Sequence, residues 1–154
     1  MVMTERDYED PSVRQLAVFL QNRVGQLREV LKVLDAANVE VQALTVVDSA
    51  DFAVVRIVAD RHDAAVRALK NADFAYTETI VLAAEVPADR GGLLAVCRAL
   101  LQGEVNIHAC YPMHTRPTGL PVVVFHVDSV HSAADVVKRN GFRLLDEKDF
   151  GQRP

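Results

Sequence analysis

Several groups of side chains in this sequence have the types and spacing that chemistry requires. His108, Cys110 and His114 lie close together, and His126 follows on a neighbouring stretch; imidazole and thiolate are the ligands a borderline-soft metal such as zinc selects. Cys97 offers a thiol. Asp48, Asp51 and Asp60 offer carboxylates for an acid/base pair, and His62 and His131 offer titrating rings. Gly25, Gly91 and Gly92 each stand just before an apolar-periodic run. A helix opening at such a point presents N–H groups without intrahelical acceptors to an anion, and glycine permits close backbone approach.

Most of these groups have a plainer reading. The chain repeats itself at a spacing of 66 residues, and in that register His108 matches Gln42, Cys110 matches Leu44 and Cys97 matches Leu31. The first two are then ordinary strand positions, and Cys97 is a small apolar filler on a buried helix stripe. The three aspartates fall at turns or helix boundaries, where Asp is a standard choice, and the two histidines read as solvated loop residues. No phosphate-binding glycine loop or nucleophile elbow is present. No metal and no cofactor is expected.

The same register defines the elements. It sets Leu16 on Leu82, Gly25 on Gly91, Leu27 on Leu93, Val30 on Val96, Leu34 on Leu100 and Val39 on Val105. In the first copy, alternation around Leu16–Leu20 predicts a strand. Leu27, Val30, Leu31 and Leu34 predict the inward stripe of a helix that stops at Asn38. Val39–Val47 and Phe52–Ala59 follow as a hairpin, Arg61–Ala72 as a helix and Phe74–Val81 as a strand. The second copy runs in the same order: strand 80–86, a helix with Leu93, Val96, Cys97 and Leu100 inward, and hairpin strands 105–113 and 121–127. A helix capped by Ser132 and stopped at Gly141 and a short strand at 142–145 complete it. Two β-α-β crossovers joined by a hairpin make an α+β, ferredoxin-like βαββαβ unit, an antiparallel sheet with both helices on one face. The expected organisation is a polar lead-in over residues 1–14, one unit over 15–80 and a second over 81–150, with no flexible linker and hence a fixed geometry between them. The bare sheet face of each unit asks for a cover, either the sister unit or another chain, so a homodimer is expected.

Composition narrows the partners. Half of the 154 residues are hydrophobic, enough for a real core, and a net charge of −4 with a pI near 5.7 is wrong for nucleic acid or an anionic membrane surface. The acidic start, Met1–Asp10, lacks the apolar region of a secretory signal, and with only two cysteines a reduced, cytoplasmic setting is expected.

A ferredoxin-like unit whose first strand ends in a glycine-containing turn, opening a helix that begins Gly-x-Leu, resembles the ACT domain. Asn22–Leu27 and Asp89–Leu93 carry the likeness, together with strand starts such as Asn38-Val39-Glu40-Val41. Stand-alone tandem ACT proteins are the more similar group, over about residues 15–150. The resemblance implies a regulatory protein, not an enzyme, that binds a free amino acid where ACT units meet. The implied ligand-binding residues are Asn22, Arg23, Val24, Gly25, Gln26, Leu27, Val39 and Val41 in the first copy and Asp89, Arg90, Gly91, Gly92 and Leu93 in the second. The family's frequent proline before the turn glycine is replaced here by Val24 and Arg90. The first junction is preferred, since Asn22 puts an amide at its mouth whereas Asp89 opposes a carboxylate. Two other readings stand beside this one. One is an accessory subunit docking on a biosynthetic enzyme such as acetolactate synthase; the other is a dimeric ferredoxin-like enzyme with a pocket between sheet and helices at His108 or His126.

Overall fold

The computed structural model describes residues 11–21 and 23–150. The chain divides into two compact units, one built on Arg14–Thr79 and the other on Ile80–Asp149. The first contains β1 (Val13–Gln21), α1 (Gln26–Ala36), β2 (Val41–Asp48), β3 (Phe52–Ala59), α2 (His62–Asn71) and the start of β4 (Ala75–Glu85). The second takes the rest of β4, then α3 (Gly92–Gln102), β5 (Ile107–Pro112), β6 (Val122–Val127), α4 (Val130–Arg139) and β7 (Leu144–Leu145). The two strands expected on either side of residue 80 are thus one unbroken strand. Strand order is β2-β3-β1-β4 in the first unit and β5-β6-β4-β7 in the second, the order of a ferredoxin-like sheet.

Alternation decides which side chains meet the helices. In the first unit Leu16, Val18 and Leu20 of β1 and Val55 and Ile57 of β3 form one apolar cluster with Val30 and Leu34 of α1 and Ala65 and Leu69 of α2. In the second, Leu82, Ala84, Val123 and Phe125 pack with Val96, Leu100, Ala133 and Val137. The helix stripes are narrower than expected: Leu31 and Leu93, read as inward, are 36 % and 47 % exposed. Cys97 is partly buried against the second cluster, as a filler would be.

All four helices end the same way. The residue after each C-cap is left-handed: Asn38 (φ 57°), Asp73 (61°), Glu104 (54°) and Gly141 (84°). The next N–H reaches back to close a six-residue ring, Val39 to Leu34, Phe74 to Leu69, Val105 to Leu100 and Phe142 to Val137, at 3.0–3.2 Å. Only Gly141 has the residue type that adopts this conformation without cost, so sequence marked two of these stops and missed Asp73 and Glu104. At the other end of α4 the cap is Ser129, whose Oγ accepts from the Ser132 N–H, and not Ser132 itself.

A second repeated device accounts for Asp60. Its carboxylate accepts the Glu40 N–H at 2.8 Å while its own N–H donates to the Glu40 carbonyl at 3.0 Å. Asp128 makes the same pair of bonds with Asn106, both at 3.1 Å. Each aspartate tethers the start of a hairpin strand to the end of its partner, which is a structural role and not an acid/base one.

Candidate functional site

The two loop-to-helix junctions have one geometry. Gly25 (φ 87°, ψ −3°) precedes α1 and Gly91 (φ 89°, ψ 0°) precedes α3, both left-handed and both without a side-chain cap. The first helical N–H of each turns back into the loop, Gln26 to the Arg23 carbonyl at 3.4 Å and Gly92 to the Asp89 carbonyl at 3.2 Å. The hydrogen-bonded ladder starts with Glu29 on Gly25 and Ala95 on Gly91. Between these points lie the N–H groups of Leu27 and Arg28, and of Leu93 and Leu94, which a helix start leaves without an intrahelical acceptor. Together with the positive end of the helix dipole, they form a place where a carboxylate can be received.

Arg23, Val24, Asp89 and Arg90 are exposed around these junctions, Gln26 and Leu27 are half-buried, and Gly92 is buried. Asn22 lies outside the described residues. Glycine is needed here for two different reasons. A Cβ on Gly25 or Gly91 would meet no protein atom within 4 Å, so within the chain itself their requirement is the positive φ. A Cβ on Gly92 would sit 2.1 Å from the Pro87 carbonyl oxygen, so there the loop itself passes against the helix. The first turns also differ in charge, since α1 carries Glu29 and α3 carries no acid. Val39 and Val41 do not join the junction within their unit. They follow the C-terminal end of α1, an 11-residue helix about 16 Å long, and contribute to the hydrophobic core.

The other candidates separate. His108 and His126 do meet, with ring centroids 5.2 Å apart, across a register shift between Ile107 and Ala109. His126 alternates with Phe125 and Val127, which face the helices, so it lies on the opposite sheet face; the space between sheet and helices is filled by apolar side chains. The pocket expected there at these histidines is therefore not formed. His114 is exposed beyond β5. Among the described residues, no group of three or more His, Cys, Asp or Glu is placed to hold a metal ion. Burial pushes the Cys110 thiol up, with a smaller contribution from Cys97, which lowers its thiolate fraction and its reactivity.

His62 corrects the sequence expectation most. It is the first residue of α2, with only 1 % of its side chain exposed, and its Nε2 lies 2.6 Å from Oε1 of Glu78 on β4. The carboxylate can only accept, which makes Nε2 the donor and leaves Nδ1 buried without a hydrogen-bond partner. His131 is exposed as expected, though on α4 rather than in a loop. The neighbouring Asp63 is held below the usual carboxylate range by the Arg14 guanidinium, which donates to it at 2.9 Å and adds its charge.

Among the described residues, no helix is long and apolar enough to cross a membrane. A surface groove of about 330 Å³ lies between the C-terminal halves of α1 and α2, lined by Val33, Ala36, Ala37, Ala68, Asn71 and Ala72, away from the glycine junction.

Comparison with known proteins agrees with this architecture. A protein from Bacteroides thetaiotaomicron of known crystal structure is 29 % identical, with a TM-score of 0.83, over 94 % of this chain and 99 % of that one. The regulatory subunit of aspartate kinase from Thermus thermophilus, in its ligand-free form, shares the fold at 12 % identity and a TM-score of 0.61, over 86 % of this chain and 94 % of that one. The regulatory subunit of aspartate kinase from Thermus flavus does so at 13 % and 0.56, over 85 % and 94 %. No curated protein matches the chain. Residues 11–153 match the family described as the ACT domain pair, and the chain belongs to that family.

Proposed function

We propose that this protein is a regulatory module that binds a free amino acid, receiving the carboxylate at an uncapped helix start. The observation that carries this reading is the pair of left-handed N-cap glycines, Gly25 and Gly91, which open α1 and α3 with no side chain competing for the first-turn N–H groups. Membership of the ACT domain pair family supports it. Arg23 and Arg90 supply positive charge beside the two junctions, and each junction also has one acid close by, Glu29 in the first turn of α1 and Asp89 in the loop before α3.

A screen of the twenty amino acids by thermal shift tests it. A ligand at a hundred times its Kd stabilises the folded state by about 2.7 kcal/mol. For a chain of this size the melting temperature is expected to rise by roughly 5–10 °C. Gly91→Ala or Gly25→Ala, whichever junction is occupied, is expected to remove that rise and the other to leave it. The reading fails if a folded protein shows no shift with any amino acid.

A second reading, an accessory subunit that docks on an amino-acid biosynthetic enzyme, is favoured by one observation: the two Thermus chains that share this fold are themselves regulatory subunits. Mixed with purified aspartate kinase catalytic subunit or acetolactate synthase, the protein is then expected to co-elute in a stoichiometric complex. Separate elution from both speaks against it.

A further inference from the structure

The chain has two cysteines, Cys97 on α3 and Cys110 on β5, and both are free thiols. The internal repeat shows what stands at their places in the first unit. Cys97 matches Leu31 and Cys110 matches Leu44, so a pair of leucines in one copy is a pair of thiols in the other. The topology of the second unit then brings those two positions together. On α3, Val96 and Leu100 face the sheet, and Gln102 lies on the flank toward α4, where its Oε1 accepts from Asn140 at 3.3 Å. With 3.6 residues per turn, Cys97 is one step round from Val96 on the opposite flank. That flank overhangs β5, because β5 is the edge strand of the order β5-β6-β4 while α4 crosses to β7 beyond β4. Cys110 faces it from below. It stands opposite Phe125 of β6, whose side chain packs under the helices, and directly opposed residues of a pair share a sheet face. Each cysteine is also near the middle of its element, so the two lie at similar heights in the unit. The electrostatics agree, since Cys97 is near enough to add to the upward shift of the Cys110 thiol.

We propose that Cys97 and Cys110 form a reversible disulfide that ties α3 to the edge strand β5. The oxidant is a low-molecular-weight disulfide of the glutathione type, written RSSR. Cys110 is the exposed thiol and reacts first: its thiolate attacks one sulfur of RSSR, the S–S bond breaks, and one RS⁻ leaves. Cys97, partly buried, is the resolving group. It gives its proton to solvent and attacks the Cys110 sulfur, the bond to SR breaks, and the second RS⁻ leaves. The protein loses two hydrogens as the disulfide forms, and RSSR is reduced to two RSH. Burial of Cys110 keeps its thiolate fraction low, so the first step is slow at neutral pH and faster at higher pH, while the second is hastened by the neighbouring thiol. A bond of this kind inside a reducing compartment is transient, made under oxidation and undone after it.

The test equilibrates the folded full chain, without amino acids, in glutathione buffers from fully reduced to fully oxidised, followed by acid quenching, thiol counting and intact mass. Wild-type protein is expected to pass from two free thiols to none, with a mass lower by two hydrogens and no retained glutathione. Dithiothreitol is expected to reverse it. The loop closed is short, about 14 residues, and the oxidised form is expected to melt higher by roughly 5–10 °C. Cys97→Ser is expected to stop at a glutathione adduct on Cys110, and Cys110→Ser to keep its thiol far longer. A disulfide demands Cβ atoms about 3.5–4.5 Å apart, so its formation in the folded chain also measures the placement argued above. Two free thiols throughout the series, a stable adduct on wild-type Cys110 beside a free Cys97, a covalent dimer on a non-reducing gel, or an oxidised form that melts lower would each overturn the proposal.

Discussion

Gly92→Ala is expected to lower the stability of the protein by about 2–3 kcal/mol, the cost of forcing a group into filled space. At this chain length that is a fall in melting temperature of roughly 5–10 °C. The cause is local: the new Cβ would lie 2.1 Å from the Pro87 carbonyl oxygen and 2.9 Å from its carbon, both backbone atoms that move only if the loop moves. The neighbour is the control. Gly91→Ala meets no atom within 4 Å and pays only for the left-handed conformation, about 1–2 kcal/mol. Thermal melts of the two variants, side by side, check the ranking. Equal losses, or a larger loss at Gly91, would show that the loop does not press against α3 as described.

The second large effect lies at His62. Removing its partner by Glu78→Ala leaves a buried imidazole with neither nitrogen bonded, at an expected cost of about 1–3 kcal/mol by urea unfolding. His62→Ala is expected to cost about 2–4 kcal/mol, since it adds an empty space to the lost bond. His62→Leu is the informative variant: it fills the space, brings no polar atom to satisfy, and is expected to cost much less than His62→Ala. Once leucine is present, Glu78→Ala has no bond to break and is expected to add little, so the double-mutant cycle should show a coupling near 1 kcal/mol or above. Additive losses would mean that the short His62–Glu78 contact contributes nothing.

His62 also shows where the sequence stops being legible. Near a helix start the dipole disfavours a cation, and local reasoning sends the ring to solvent. The carboxylate that receives it belongs to a strand 16 residues later, a relation that only the completed sheet creates. Leu31 and Leu93 fail for a related reason. Apolar spacing finds every leucine on a helix, but each helix lies on one sheet only, so the arc that is covered is narrower than the arc that is apolar. What did transfer is what depends on backbone geometry alone. The repeat matched Gly25 to Gly91 by position, and their φ angles agree to within a few degrees. The ferredoxin-like order followed from element succession, because short connections and right-handed crossovers leave few alternatives. At the junctions, residue types placed the three glycines but did not distinguish the one confined by a neighbour from the two confined by a dihedral angle.

The uncapped helix starts carry one further consequence. In most helices a serine or aspartate at the N-cap both holds the first turn and occupies the loop, so the loop cannot change its chemistry without loosening the helix. Here a glycine dihedral sets the entry of α1 and α3, and the adjoining Arg23, Val24 and Arg90 point into open solvent with no duty to the turn. The side chains at those three positions therefore hold no part of the helix start, and a scaffold built this way can acquire a new specificity without first surviving a loss of fold.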